Sequence, residues 1–237
     1  MVSLAEEKKL YSEIQKKLFY IIPEKWESIY LYASIFDEPN RKANGEMYFY
    51  YFPKSLIKKK AINCYEVPSI FNLDENEYSK LIADLYGLIR KLRIVYFKRK
   101  NKKWTNLTII IENCQFQVKY DYRNLNELEF DSYERHVIWR YIYLKTDYEL
   151  LSGKDKKILK KYMEYSQRVK IPKKDIYTEG VYQLPVKNII DFEKTLSVEE
   201  AIAQADETEE INMHRKGFIF NKRKRIIDDI IDDDDEF

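Results

Sequence analysis

The chain has 237 residues, of which 45% are apolar, 15% aromatic and 35% charged, with 21 Tyr and 12 Phe but only 5 Gly and 6 Pro. Such a composition supports a buried core and long regular elements with solvated outer faces, and it excludes collagenous, disulfide-framework and low-complexity architectures. The formal net charge of +2 conceals an asymmetry, because residues 1–166 carry +7 (30 basic against 23 acidic) and residues 167–237 carry −5 (12 against 17).

Taken in chain order, Ser3 and Glu6 have the spacing of a capping box, and Leu10, Ile14 and Leu18 recur at four-residue intervals until Pro23. That predicts an amphipathic first helix. From Trp26 to Phe36 the period drops to two, with Ile29, Leu31, Ala33 and Ile35 on one face and Tyr30 and Tyr32 on the other. A polar stretch with Pro39 and Asn44-Gly45 leads into Glu46–Phe52, so the two runs read as an antiparallel hairpin. A third extended run is expected at Ala61–Val67.

Asp74 and Glu77 open a second helix whose apolar positions Tyr78, Leu81, Ile82, Leu85, Ile89 and Leu92 fit the helical template. Two further strands, Trp104–Glu112 and Cys114–Tyr122, turn about Asn113, and in the second Phe116, Val118, Tyr120 and Tyr122 alternate with polar residues. Helices at Ser132–Leu144 and Lys154–Tyr165 follow. The order favours an α+β fold: an antiparallel sheet of hairpin-connected strands packed by helices, which are expected on one of its faces. Residues 1–166 then form one domain, and residues 167–237 a partly ordered acidic extension with a short helix at Ser197–Ile211, a strand at Gly217–Asn221 and an acidic tail.

Chemistry is sparse in this sequence. The two histidines, His136 and His214, have no nucleophile at a plausible spacing, and His136 reads as a packed or surface residue on an aromatic helix. No glycine pattern suits a phosphate loop, and Cys64 and Cys114 read as reduced, buried thiols. The expectation is therefore no enzyme, no cofactor and no metal site. With no apolar run of membrane-spanning length and a charged N-terminus, a soluble, cytoplasmic protein is expected.

Macromolecular recognition is the better-supported reading. Tyr30, Tyr32, Tyr48 and Tyr50 occupy the outward phase of their strands, where large amphipathic rings suit a protein interface. The competing reading is a second helical layer covering that face. The basic clusters Lys58–Lys60 and Lys98–Lys103 read as loops at element ends, and a nucleic-acid-binding regulator using them against phosphates is the alternative function. Nucleic acid is disfavoured because no base-stacking aromatics are interleaved with them.

Five segments carry a family resemblance: LYSEIQKKLFYIIPEKWESIYLYASI (10–35), GEMYFYYF (45–52), DENEYSKLIADLYGLIRKLR (74–93), WTNLTIIIENCQFQVKYDYRNL (104–125) and ERHVIWRYIYL (134–144). In this order they resemble the YezG-type immunity proteins over about residues 8–166. The resemblance implies a cognate nuclease toxin, exported by a type VII-like system, as the partner, and it implies no catalytic residues. Family members are commonly acidic, whereas residues 1–166 here are basic. The acidic residues Glu199, Glu200, Asp206, Glu207 and Asp232, Asp233, Asp234 and Asp235 are therefore expected, with the four tyrosines, to meet the partner.

Overall fold

The period-two segments pair as expected. In the computed structural model, which describes residues 4–37, 45–54, 60–113, 115–169 and 176–183, β1 (Trp26–Ser34) pairs antiparallel with β2 (Met47–Pro53) and, on its other side, with β4 (Asn106–Glu112). β4 continues into β5 (Gln115–Asp121) through Asn113, whose φ of 50° is the left-handed conformation that asparagine tolerates best after glycine. A two-residue β3 (Ile62–Asn63) and β6 (Ile176–Gln183) complete an antiparallel sheet of order β3-β2-β1-β4-β5-β6. The last strand belongs to the extension beyond residue 166, so the start of that extension pairs with the sheet.

Register explains the core. Three apolar rows run across the four central strands on one face: Tyr51-Ile29-Ile111-Phe116, Phe49-Leu31-Ile109-Val118 and Met47-Ala33-Leu107-Tyr120. Helices α1 (Leu4–Ile21) and α3 (Glu75–Lys100) cover this face with Ile14, Leu18, Leu85, Ile89 and Leu92, all fully buried. The two helices run antiparallel, as the ion pairs Arg99 to Glu7 and Lys17 to Asp84 at opposite ends show. Helix α3 starts where the sequence indicates, with the Asp74 carboxylate accepting from the Glu77 N–H at 2.8 Å.

Two expectations change. Residues 61–67 do not continue as a strand: after β3, Asn63 and Glu66 close a capping box that turns the chain into a 3-10 turn (Cys64–Glu66) and the short α2 (Val67–Ile70). Local side-chain hydrogen bonds and Pro68, near the helix start, outcompete the ladder here. The basic cluster at 98–103 is not wholly a loop, because Lys98, Arg99 and Lys100 form the last turn of α3, where cations face the helix's orphan carbonyls. Past Leu92 the buried stripe of α3 continues with Val95 and Tyr96, and Arg93, almost fully buried, is held by the Asp37 carboxylate (2.8 Å) and the Trp104 carbonyl (2.7 Å). Asn101, with φ 52°, then caps the helix.

The helices also do not all lie on one face. Helix α4 (Ser132–Tyr143) crosses the opposite face of the sheet, and α5 (Gly153–Val169) packs on α4 through a second cluster of Phe130, Val137, Ile138, Ile158 and Leu159. A capping box of Asp131 and Glu134 opens α4. The residues described lie within one unit, Met1–Leu184. The expected Ser3 cap, Cys114, and the helix and strand expected at Ser197–Ile211 and Gly217–Asn221 fall outside the described residues. No described helix is long and apolar enough to cross a membrane.

Beneath α1 lies a polar network. The Glu7 carboxylate, 2% exposed, takes a bond from Arg99 Nε at 2.6 Å and another from the Tyr11 hydroxyl at 2.7 Å, and the Tyr11 oxygen in turn accepts from the Tyr120 hydroxyl at 2.6 Å. Burial, with Tyr120 and Glu7 beside it, pushes the Tyr11 hydroxyl far above the ordinary phenol range, so it serves as a neutral donor. Arg99→Met would leave a buried carboxylate without its cation, and a loss on the order of 3 kcal/mol is expected in urea unfolding. Adding Glu7→Leu should recover most of it.

Gly45 is fixed by close approach. A Cβ there would stand 2.0 Å from the Ser34 carbonyl oxygen and 2.3 Å from the Tyr86 hydroxyl, which itself donates to that carbonyl at 2.8 Å. Gly45→Ala is expected to cost about 2 kcal/mol or more, since the backbone of β1 has no room to retreat. A thermal midpoint equal to that of the unaltered chain would count against this.

Candidate partner-binding site

The tyrosine face is where sequence and structure meet most directly. Register places Tyr32 opposite Tyr48 and Tyr30 opposite Tyr50, on the face away from α1 and α3. Tyr32 and Tyr48 stack with ring centroids 5.0 Å apart and an interplanar angle of 18°. Helix α4 then closes over them. Its His136 lies flat on Tyr48 at 4.0 Å, and its Trp139 meets Tyr48 at 5.2 Å and Tyr50 at 6.1 Å. Trp139 is fixed in turn by its indole N–H, which donates to the Thr108 hydroxyl at 3.0 Å.

Of the two readings of this face, a covering helical layer is what is found for three of the four rings. Tyr32, Tyr48 and Tyr50 are buried, and desolvation drives their hydroxyls above the normal phenol range. Tyr30 differs. It is half-buried, its ring meets Phe52 edge-on at 6.0 Å, and its hydroxyl donates to Glu112 at 2.7 Å. Burial and that carboxylate raise its pKa to about 12. The nominated acids Glu199, Glu200, Asp206, Glu207 and Asp232–Asp235 lie outside the described residues.

His136 is the titratable centre of the covered face. Tyr50 Oη lies 2.9 Å from its Nε2, and burial, with Arg140 nearby, lowers its pKa to about 4, so the ring is neutral near pH 7. A neutral ring stacked between tyrosines is a packing element. Helix α4 is further anchored at its start by Glu46, which accepts from the Ser132 hydroxyl and lies 3.6 Å from Arg135 Nη2.

Surfaces that sequence reasoning missed carry exposed apolar side chains. Tyr65 (63% exposed) stands beside the outer edge of β2, Ile70 (53%) ends α2, and Ile94 (56%) and Phe97 lie on the outer side of α3, with Lys103 Nζ 5.1 Å from the Phe97 ring centre. Ile94 was legible in principle: it falls out of phase with Ile89, Leu92, Arg93 and Tyr96, the buried stripe of the same helix. Tyr65 was hidden inside a run read as strand, and Ile70 lies just beyond it. Among the described residues, no group of three or more His, Cys, Asp or Glu side chains could hold a metal ion. Burial raises the Cys64 thiol to about 12.

Comparison with known proteins gives consistent relatives. The family model described as immunity protein YezG-like matches residues 8–160. The chain is 32% identical over 133 residues to "Immunity protein YezG" of Bacillus spizizenii, covering 56% of this chain and 78% of that protein. It is likewise 32% identical over 133 residues to the Bacillus subtilis protein of the same name, covering 56% and 83%. "Type VII secretion system protein EsaG" of Staphylococcus aureus is 28% identical over 153 residues, which is 62% of this chain and 89% of that protein.

The geometry around His136 makes stability depend on pH. Because its folded pKa lies below the ordinary value of 6.5, the unfolded chain binds the proton more readily, and the stabilisation is complete above about pH 6.5 and is lost as pH falls toward about 4. The expected loss across that window is on the order of 2 kcal/mol. Urea unfolding at pH 7 and pH 4.5 should show the difference shrinking in His136→Gln, and an unchanged difference would remove His136 as its source.

Proposed function

The chain belongs to the YezG-like immunity protein family, and from that premise we propose that it binds and neutralises a cognate nuclease toxin of a type VII-secreted system, acting in the cytoplasm without catalysis of its own. The family match over residues 8–160 is the observation that carries this reading, since it spans both helical layers and the central strands. The relatives' names, two of immunity proteins and one of a type VII secretion system protein, support the toxin system as the setting. None of those names is that of an enzyme.

Contact with the toxin is assigned to Tyr30 directly and to Tyr32, Tyr48 and Tyr50 through the position they give α4. The acidic residues Glu199, Glu200, Asp206, Glu207 and Asp232–Asp235 supply the negative field that the basic residues 1–166 lack, and they steer a basic nuclease surface toward the complex.

Mixing the purified chain with the nuclease domain of the toxin encoded beside it should abolish DNA cleavage and yield a complex that co-purifies. Continued cleavage at stoichiometric excess would reject the proposal. Removing residues 197–237 should slow association at low ionic strength, with the deficit closing as salt is raised, while the dissociation rate stays near that of the full chain. Equal on-rates at low salt would show that the acidic segment does not steer.

A further inference from the structure

Between the sheet's second face, α4, α5 and the segment following β5 lies a cavity of about 180 Å³. It is close to the size, roughly 150 Å³, at which an engineered apolar cavity holds a benzene ring. Aromatic side chains dominate its wall, among them Phe130, Trp139, Tyr143, Tyr162 and Tyr165. Ile142, 45% exposed, also lines the cavity and so stands where the cavity meets solvent.

Among the charged residues of the lining, cations outnumber carboxylates. Lys119, Arg123 and Arg135 line it with one carboxylate, Asp121, whose oxygens are engaged by Arg123, with Nε at 2.9 Å from Oδ2, while Arg135 Nη2 lies 3.6 Å from Glu46 just outside the lining. Lys119 Nζ rests over the Tyr143 ring, 5.2 Å from its centre. Arg135 gives Nη1 to the Phe130 carbonyl at 2.9 Å, but its buried Nε–H has no acceptor among the described residues. A buried donor left unanswered is costly, and an arriving oxygen would satisfy it. Ring-sized apolar space lined by a guanidinium whose Nε–H alone is unanswered suits an aromatic group that carries an anionic oxygen.

We propose that this cavity is a binding site for an aromatic ring bearing a carboxylate, held by ring contacts with Phe130, Trp139 and Tyr143 and by a charge-assisted bond from Arg135 Nε. Two sources share that chemistry: a free aromatic acid, and an aromatic side chain beside an acid on a bound protein. The site does not depend on the nuclease reading above: binding is tested on the full chain alone, and only the arm that separates the two sources adds the toxin domain.

The indole N–H of Trp139, fixed on Thr108, is a local reporter by nitrogen-15 NMR. Phenylacetate should shift that resonance saturably, with a Kd on the order of 1 mM or tighter. Benzyl alcohol, which keeps the ring and lacks the charge, should bind at least about tenfold more weakly. Arg135→Gln should erase that preference, and Ile142→Trp, which fills the rim, should abolish binding of both. If Arg135→Gln does not fold, the comparison of the two probes on the unaltered chain still decides the matter. No saturable shift up to about 10 mM, or equal affinity for both probes, overturns the proposal. Once phenylacetate is bound, displacement by the neighbouring toxin domain identifies a protein side chain as the source, and retention identifies a free acid.

Discussion

Both faces of the central sheet are apolar or aromatic, and the rest of the molecule follows from the need to cover each of them. One face is three rows of aliphatic and aromatic side chains that α1 and α3 bury. The other carries tyrosines whose hydroxyls need partners even as their rings leave water, and α4 brings His136, Trp139 and Arg135 to that surface. A sheet with only the first layer would expose a broad aromatic patch. The family match, ending at residue 160, includes both layers and the first half of α5.

Much of this was legible in the chain. Alternation placed β1 and β5, their turns placed the neighbours β2 and β4, and Asp74 with Glu77 marked the start of α3 within a residue, because strong periodicity, turn residues and a side-chain cap are local signals. What alternation does not encode is which side of a half-polar strand meets another layer. Tyr32, Tyr48 and Tyr50 have the composition of an interface and the burial of a core, and only the position of α4 separates the two. The segment at 61–67 departs from its expected strand for a related reason, since Asn63 and Glu66 form a capping box inside a run that otherwise reads as strand. The acids nominated for the partner lie beyond residue 183, the last one described, and the exposed Ile94 needed the buried stripe of α3 as its reference.

The excess of basic residues before position 166 also takes on a different meaning in three dimensions. Several cations are absorbed by packing: Lys154 lies 4.1 Å from the centre of the Tyr133 ring, Lys161 4.7 Å from that of Phe130, and Lys156 5.4 Å from that of Tyr148. Others end α3 or pair with Asp37, Glu7 and Glu46. Positive charge here is partly structural mortar around aromatic rings, which weakens any inference from net charge to nucleic acid.

The outer margin of β2 has a further consequence. Its strand partner β3 matches only Tyr50 and Tyr51, and the groups before them are met by side chains: the Phe49 N–H points to the Cys64 sulfur at 3.4 Å, and the Met47 carbonyl accepts from the Tyr65 hydroxyl at 2.7 Å. An extended peptide drawn to that margin would find a thiol and a phenol where it needs free main-chain groups, so the sheet is sealed there against fibril-like stacking and against recruitment of a foreign strand.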